Sequence, residues 1–132
     1  AELTSFHSTF GPMQPAELET AGLLDKIEEI RGAACVRLGL VDTPEEARKK
    51  TPYLPFIAAV ASAQPYTDFT TGQTIEGVDF LSRLFFMQRL HKAYPVTGTV
   101  ATGAAARIPG TIVHEVCRAG DQAAVSIGHP SG

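Results

Sequence analysis

His91-Lys92-Ala93-Tyr94-Pro95-Val96-Thr97-Gly98-Thr99-Val100-Ala101-Thr102-Gly103 is the stretch around which the rest of the chain can be read. Pro95 and Gly98 punctuate it, and small apolar residues follow as far as Pro109-Gly110. Thr97–Ile108 therefore reads as one tightly packed helix, with Thr97 or Thr99 placed to cap its start. The first turn of such a helix offers unpaired N–H groups and a partial positive charge, which stabilise a carboxylate. The threonine hydroxyls are added donors, and Lys92 adds a full positive charge. On spacing alone, the more frequent explanation is an ordinary capped helix whose small residues permit close packing.

Outward from this stretch, Val78–Leu90 fits two patterns. Val78, Leu81, Leu84 and Phe85 suit a helix, while Phe80, Leu84 and Phe86 against Leu81, Phe85 and Met87 suit a strand buried on both faces. Periodicity cannot separate these. Phe56–Ala61 is a short apolar run and reads as a buried strand, and the Thr- and Gly-rich residues 67–77 read as a loop or hairpin. Thr111–Val116 and Ala123–Ile127 read as strands joined by a turn at Ala119-Gly120-Asp121.

Toward the start, Pro12 and Pro15 punctuate a loop, and Glu17–Leu40 reads as helical. Its stripe is Leu23, Leu24, Ile27, Ile30, Ala34, Val36 and Leu38, with Gly39 as its end. Gly32 marks a close packing contact and Cys35 a small core residue. Thr43-Pro44-Glu45-Glu46 has the form of a capping box with proline at the first helical position. At the far end, the rigid Pro130 between two glycines in Gly128-His129-Pro130-Ser131-Gly132 can aim Ser131 and backbone amides at a ligand; the bland alternative is a surface turn.

The chain has 132 residues, 44% of them hydrophobic, with a formal net charge of −3. That is enough for a single domain over 1–132 with its own core. The basic residues form no stripe, which argues against a nucleic-acid partner. No apolar run is long enough to cross a bilayer, so a membrane partner is not expected. Residues 1–12 lack a basic segment followed by an apolar one, so no signal peptide is expected. Two cysteines far apart, Cys35 and Cys117, fit reduced thiols and a cytoplasmic setting. His7, His91, His114 and His129 have no metal-ligand spacing, and His114 reads as a strand residue. The hydrolase elbow, the phosphate loop and the dinucleotide fingerprint are absent, so no cofactor is expected.

Four stretches in order resemble the PrpF family of 2-methylaconitate isomerases, 4-oxalomesaconate tautomerases and methylitaconate isomerases. They are Ile30-Arg31-Gly32-Ala33-Ala34-Cys35-Val36-Arg37-Leu38-Gly39-Leu40, then Met87–Gly98, Ala105-Ala106-Arg107-Ile108-Pro109-Gly110-Thr111, and Ile127–Gly132. The resemblance implies an α+β fold, half of a diaminopimelate epimerase-like protein, in which a curved β-sheet wraps a central helix at about 97–108. It also implies that Val78–Met87 is a strand. It places Thr97, Gly98 and Thr99 on a substrate carboxylate, with Lys92, Ser131 and Gly132 as neighbours.

The implied reaction is a cofactor-independent shift of a double bond in a tri- or dicarboxylate. A fixed set of donors stabilises the enolate, and an acid and a base move the proton. In the family that pair comes from a first domain, and neither cysteine here falls in its motif, so no catalytic residue is assigned. Two readings follow: part of an isomerase completed by a first domain, or a non-catalytic, anion-binding module. The few charges on the two expected strand edges add a further expectation, pairing with another copy as a homodimer.

Overall fold

The computed structural model describes residues 15–132. His7, the loop expected at Pro12 and the expectation for residues 1–12 lie outside the described residues. Pro15 itself opens a short helix, α1 (Pro15–Leu18), rather than a loop. Thr20, extended at φ −65° and ψ 140°, then starts α2 (Ala21–Arg37), so the helical stretch expected from Glu17 is two helices. Gly39 ends α2 as expected. Its φ is +69°, Gly39 N–H donates to Val36 O and Leu40 N–H to Cys35 O, the double bond of a left-handed helix stop.

The buried face of α2 keeps only the first part of the expected stripe, with Leu23 and Leu24 half-buried beside Ile27. Ile27, Glu28, Arg31, Gly32 and Cys35 face inward, whereas Ile30, Val36 and Leu38 are exposed. An ion pair explains the difference. Arg31 is held by Glu28 at 2.5 Å and donates to the carbonyls of Thr51 and Leu54 at 2.6 and 2.7 Å. These contacts satisfy the charge and two backbone acceptors of the following loop, so burial is tolerated. A β-carbon on Gly32 would lie 2.8 Å from Pro44 O, the close contact expected there. Pro44–Glu46 forms a 3₁₀ turn before α3 (Ala47–Lys50). Thr43 makes no side-chain cap; Glu46 instead reaches back to the Asp42 N–H at 3.2 Å.

β1 (Ile57–Ser62) pairs antiparallel with β4 (Phe80–Phe86), and the small hairpin β2 (Tyr66–Thr67) and β3 (Thr74–Ile75) lies between them in sequence. β4 continues through Met87 and Gln88 into β5 (Arg89–Leu90). On its other half β4 pairs in parallel with β6 (Ile127–Gly128). β4 is thus the centre of the sheet, and six of its seven residues are buried. Leu81 and Phe85 face Tyr66, Val78, Ile27 and Leu18, while Phe80 faces Ala106, Val113 and Val125. Covering both faces removes the period-two alternation that marks a one-sided strand.

The central helix, α4 (Val96–Ala105), starts one residue earlier and ends three earlier than expected. It buries Gly98 and Thr102, with Ala106 just beyond its end, against the Leu84 face of β4. Within the stretch read as tightly packed, Ala101, Ala104 and Ile108 are exposed and Ala105 is half-buried. The described sheet covers one side of α4, and Val96 and Val100 on the other are 78% and 68% exposed.

Two expected strands are differently built. Ile112–Val116 is a helix, α5, because the Thr111 hydroxyl accepts the His114 N–H at 3.1 Å and caps it. His114 therefore sits on this helix, its Nδ1 3.0 Å from Ala106 O. Of Ala123–Ile127 only the last residue joins a strand. Arg107 donates to the carbonyls of Gly120, Gln122 and Ala124, so these acceptors serve a guanidinium instead of a neighbouring strand.

Candidate functional site

Pro95, extended at φ −69° and ψ 143°, is the residue before α4 and makes no side-chain cap. Thr97 and Thr99 do not cap either, because the helix begins before them. Thr99 N–H donates to Pro95 O at 2.9 Å, the first helical bond, and its hydroxyl donates to the same carbonyl at 3.2 Å. The N–H groups of Val96, Thr97 and Gly98 thus precede the first intrahelical donor, Thr99 N–H. Gly98 is buried, and a β-carbon there would lie 2.6 Å from Leu84 Cδ1. Close packing against Leu84 by itself favours glycine at this position.

A cleft of about 310 Å³ is lined by Tyr94, Thr99, Val125, Ile127, His129, Ser131 and Gly132. It brings together the start of α4 and the last five residues, far apart in sequence. Of the residues expected to bind substrate, Thr99, Ser131 and Gly132 line it. Thr97 is exposed on the first turn of α4. Lys92 contributes its carbonyl, which accepts from the Ser131 hydroxyl at 2.8 Å, while its ammonium rests 5.7 Å from the Phe69 ring centroid.

The terminal turn is tied in place from three sides. Gly132 N–H donates to His129 O and His129 N–H to Gly132 O, at 3.1 and 3.3 Å. Phe69 N–H donates to Pro130 O. Arg83, buried at the middle of β4, donates to Gly128 O at 3.2 Å and to Ser82 O at 2.9 Å, and lies 5.5 Å from the Tyr66 ring centroid. Burial pushes the Arg83 guanidinium down to about 10. His129 is also buried, with Nε2 3.0 Å from His91 O and its ring edge-on to Tyr94. Burial, and then the nearby Arg83 charge, lower its pKa to about 4.

Sequence reasoning passed over Arg83, Tyr94 and His129 as site-builders. One signal was there: Arg83 is the single charge inside Phe80–Phe86, a run otherwise buried on both faces. A charge so placed organises backbone around it.

Among the described residues no cluster of three His, Cys, Asp or Glu is arranged to hold a metal ion, and no helix is long and apolar enough to cross a membrane. Cys35 is buried on α2 and Cys117 lies outside the cleft, both as free thiols. A wider, open depression of about 660 Å³, lined by Asp79, Arg118 and residues 122 and 124–126, adjoins the cleft at Val125. Its Asp79 carboxylate already accepts the Ser126 N–H at 2.7 Å.

The profile of the PrpF protein family matches residues 10–132. This chain belongs to the PrpF family. Among PrpF relatives it is 54% identical over 115 residues to 3-methylitaconate isomerase of Eubacterium barkeri, a match covering 85% of this chain and 30% of that protein. It is 41% identical over 111 residues to 2-methyl-aconitate isomerase of Shewanella oneidensis, covering 83% of this chain and 28% of that protein. The crystal structure of methylitaconate-delta-isomerase superposes with a TM-score of 0.92 at 48% identity, over 98% of this chain and 34% of that one. The chain thus spans about a third of the length of these PrpF relatives. The fold is the α+β, diaminopimelate epimerase-like one expected from the sequence.

Proposed function

We propose that this chain forms one wall of the active site of a cofactor-independent isomerase that shifts a double bond by proton transfer in an aconitate-like tricarboxylic acid. The observation that carries this reading is the cleft itself, where the start of α4 meets the Ser131–Gly132 turn within a chain matched by the family from residue 10 to residue 132. Its relatives are named for isomerisation of methylitaconate and methylaconitate. The N–H groups of Thr97 and Gly98 and the positive end of α4 hold a substrate carboxylate, with Thr99, Ser131 and Gly132 around it. Lys92, whose carbonyl meets Ser131, adds long-range attraction for the anion. Fixed donors of this kind stabilise an enolate as it forms. The acid and base come from a first domain facing this cleft, and the protein works in the cytoplasm, where Cys35 and Cys117 stay reduced.

The test is reconstitution. The 132-residue chain mixed with a separately produced first domain should isomerise an aconitate-like acid, followed by the ultraviolet absorbance of the conjugated double bond. No turnover by the mixture, with both parts folded, would count heavily against the proposal.

A second reading is supported by the chemistry of the cleft wall: hydroxyls, backbone and a histidine of low pKa, without a paired acid and base near neutrality. On this reading the chain alone binds a carboxylic acid without converting it. Turnover of any such acid by the isolated chain would remove it.

A further inference from the structure

The backbone between α5 and β6 is held mainly by one side chain. The Arg107 guanidinium, just beyond the end of α4, collects the carbonyls of Gly120, Gln122 and Ala124. Gln122 N–H closes a turn on Ala119 O. Among the described residues, the N–H groups of Ala123, Ala124 and Val125 meet no acceptor.

The sheet stops short of this segment. The parallel ladder of Phe80 with Ile127 and Leu81 with Gly128 has one further rung, Asp79 N–H to Ser126 O at 2.8 Å. There the Asp79 carboxylate takes the Ser126 N–H, and Gly77, at φ +81°, breaks the extended run opposite. The gap left between the two backbones is the open depression of about 660 Å³, with Gly77 and Asp79 on one side and residues 122 and 124–126 on the other. Val125 lines both this depression and the cleft beside α4, so the segment is the partition between them. Residues 121–124 are exposed, and Val125, half-buried beside Phe80 and Ala106, is their one apolar anchor. Arg107 is exposed too, so water competes for each of its bonds and its hold is reversible.

We propose that residues 121–125 are a flap, hinged at Gly120 and Ser126 and latched by Arg107, whose opening merges cleft and depression into one space. Gly120, at φ +55° and with nothing within 4 Å of an added β-carbon, can absorb the backbone change. Ser126 is the fixed end, pinned by Asp79 at both its N–H and its carbonyl. Arg107 is a positioning residue, and because it follows α4 directly, it ties the flap to that helix. The motion stands on this backbone geometry; its gating of substrate rests on the cleft being the acid site.

Nitrogen-15 relaxation of the intact 132-residue chain reads the motion directly. In the wild type, residues 122–125 should show microsecond-to-millisecond exchange that Ile127 and Gly128 lack. A segment without such exchange overturns the flap. Arg107→Met should lower the order parameters of residues 122–125 below about 0.6, with β4 remaining at about 0.85. Arg107→Lys, which keeps the charge and loses the planar fork, should fall between. Wild-type values in Arg107→Met overturn the latch; where that variant fails to fold, wild-type values in Arg107→Lys do so. Added cis-aconitate should suppress the exchange at Val125. Amide shifts at Thr99 and Ser131 with the Val125 exchange unchanged overturn the gate and keep the acid site. An absence of shifts overturns acid site and gate together, while the Arg107 variants still decide the latch.

Discussion

Gly98 and Leu84 are in such close contact that a β-carbon on the glycine would lie 2.6 Å from Leu84 Cδ1. This contact joins the start of α4 to the central strand β4 and sets how near the helix N–H groups come to the terminal turn. Gly98→Ala should therefore destabilise the chain by about 1–3 kcal/mol through overpacking. Gly103, in the same helix, has nothing within 4 Å of an added β-carbon. Gly103→Ala should stabilise by about 0.5–1 kcal/mol, since glycine is the poorer helix former. Chemical denaturation of the pair separates a packing requirement at Gly98 from a general preference for glycine.

Glu28 and Arg31 form a buried pair, with side chains 10% and 5% exposed. The hydrogen bond from Arg31 to Glu28 is the main cause holding the guanidinium above its ordinary range. Glu28→Gln leaves the buried charge without that partner and should cost about 3–5 kcal/mol in denaturant unfolding. Removing the exposed Glu46–Lys50 pair by Glu46→Gln should leave the denaturation midpoint almost unchanged, because solvent screens such a pair.

His129 should make stability depend on pH in a defined window. Its pKa falls from 6.5 to about 4 on folding, so between these values the unfolded chain binds more protons. Stability from this group is complete above about pH 6.5 and declines as pH drops toward 4, at no more than about 1.4 kcal/mol per pH unit. His129→Asn should flatten that part of the profile relative to wild type. Identical slopes in the two proteins over that window would show that the ring is not buried neutral.

Met87 and Gln88 connect β4 to β5 with φ of 51° and 59°, both in the left-handed region. A two-residue hairpin of this kind favours Asn-Gly. Gln88→Gly should raise stability by about 1 kcal/mol, because glycine adopts this conformation without a β-carbon clash. An unchanged or lowered denaturation midpoint would mean that the Gln88 side chain contributes packing that outweighs the strain.

Val96 and Val100 leave an apolar face of α4 outward. The isolated chain is expected to pair with a second copy through this face. Sedimentation across a dilution series should show a dimer dissociating, and Val100→Lys should shift it to monomer. Wild-type monomer at every concentration would exclude the contact.

The sequence by itself determined the family, the fold class, the strand at Phe56–Ala61, the helix after Pro95 and the stop at Gly39. The family and fold class came through resemblance, whereas the strand, the helix and the stop follow from local chemistry: fixed proline φ, glycine freedom, and apolar runs with definite ends. The first domain and the acid–base pair were expectations of family resemblance and remain part of the proposal. Tertiary structure decided the rest. β4 is covered on both faces, so its periodicity could not distinguish strand from helix. Glu28 and Arg31 turned the polar side of α2 inward because the carbonyls of Thr51 and Leu54 needed a donor from across the fold. Residues 123–126 stayed out of the sheet because Arg107 met the carbonyl of Ala124 as well as those of Gly120 and Gln122. Ser131 stood out in the sequence as a candidate, but the partners of its hydroxyl did not. They are Lys92 O and His129 Nδ1, and only folding brings the chain around Lys92 beside the terminal turn.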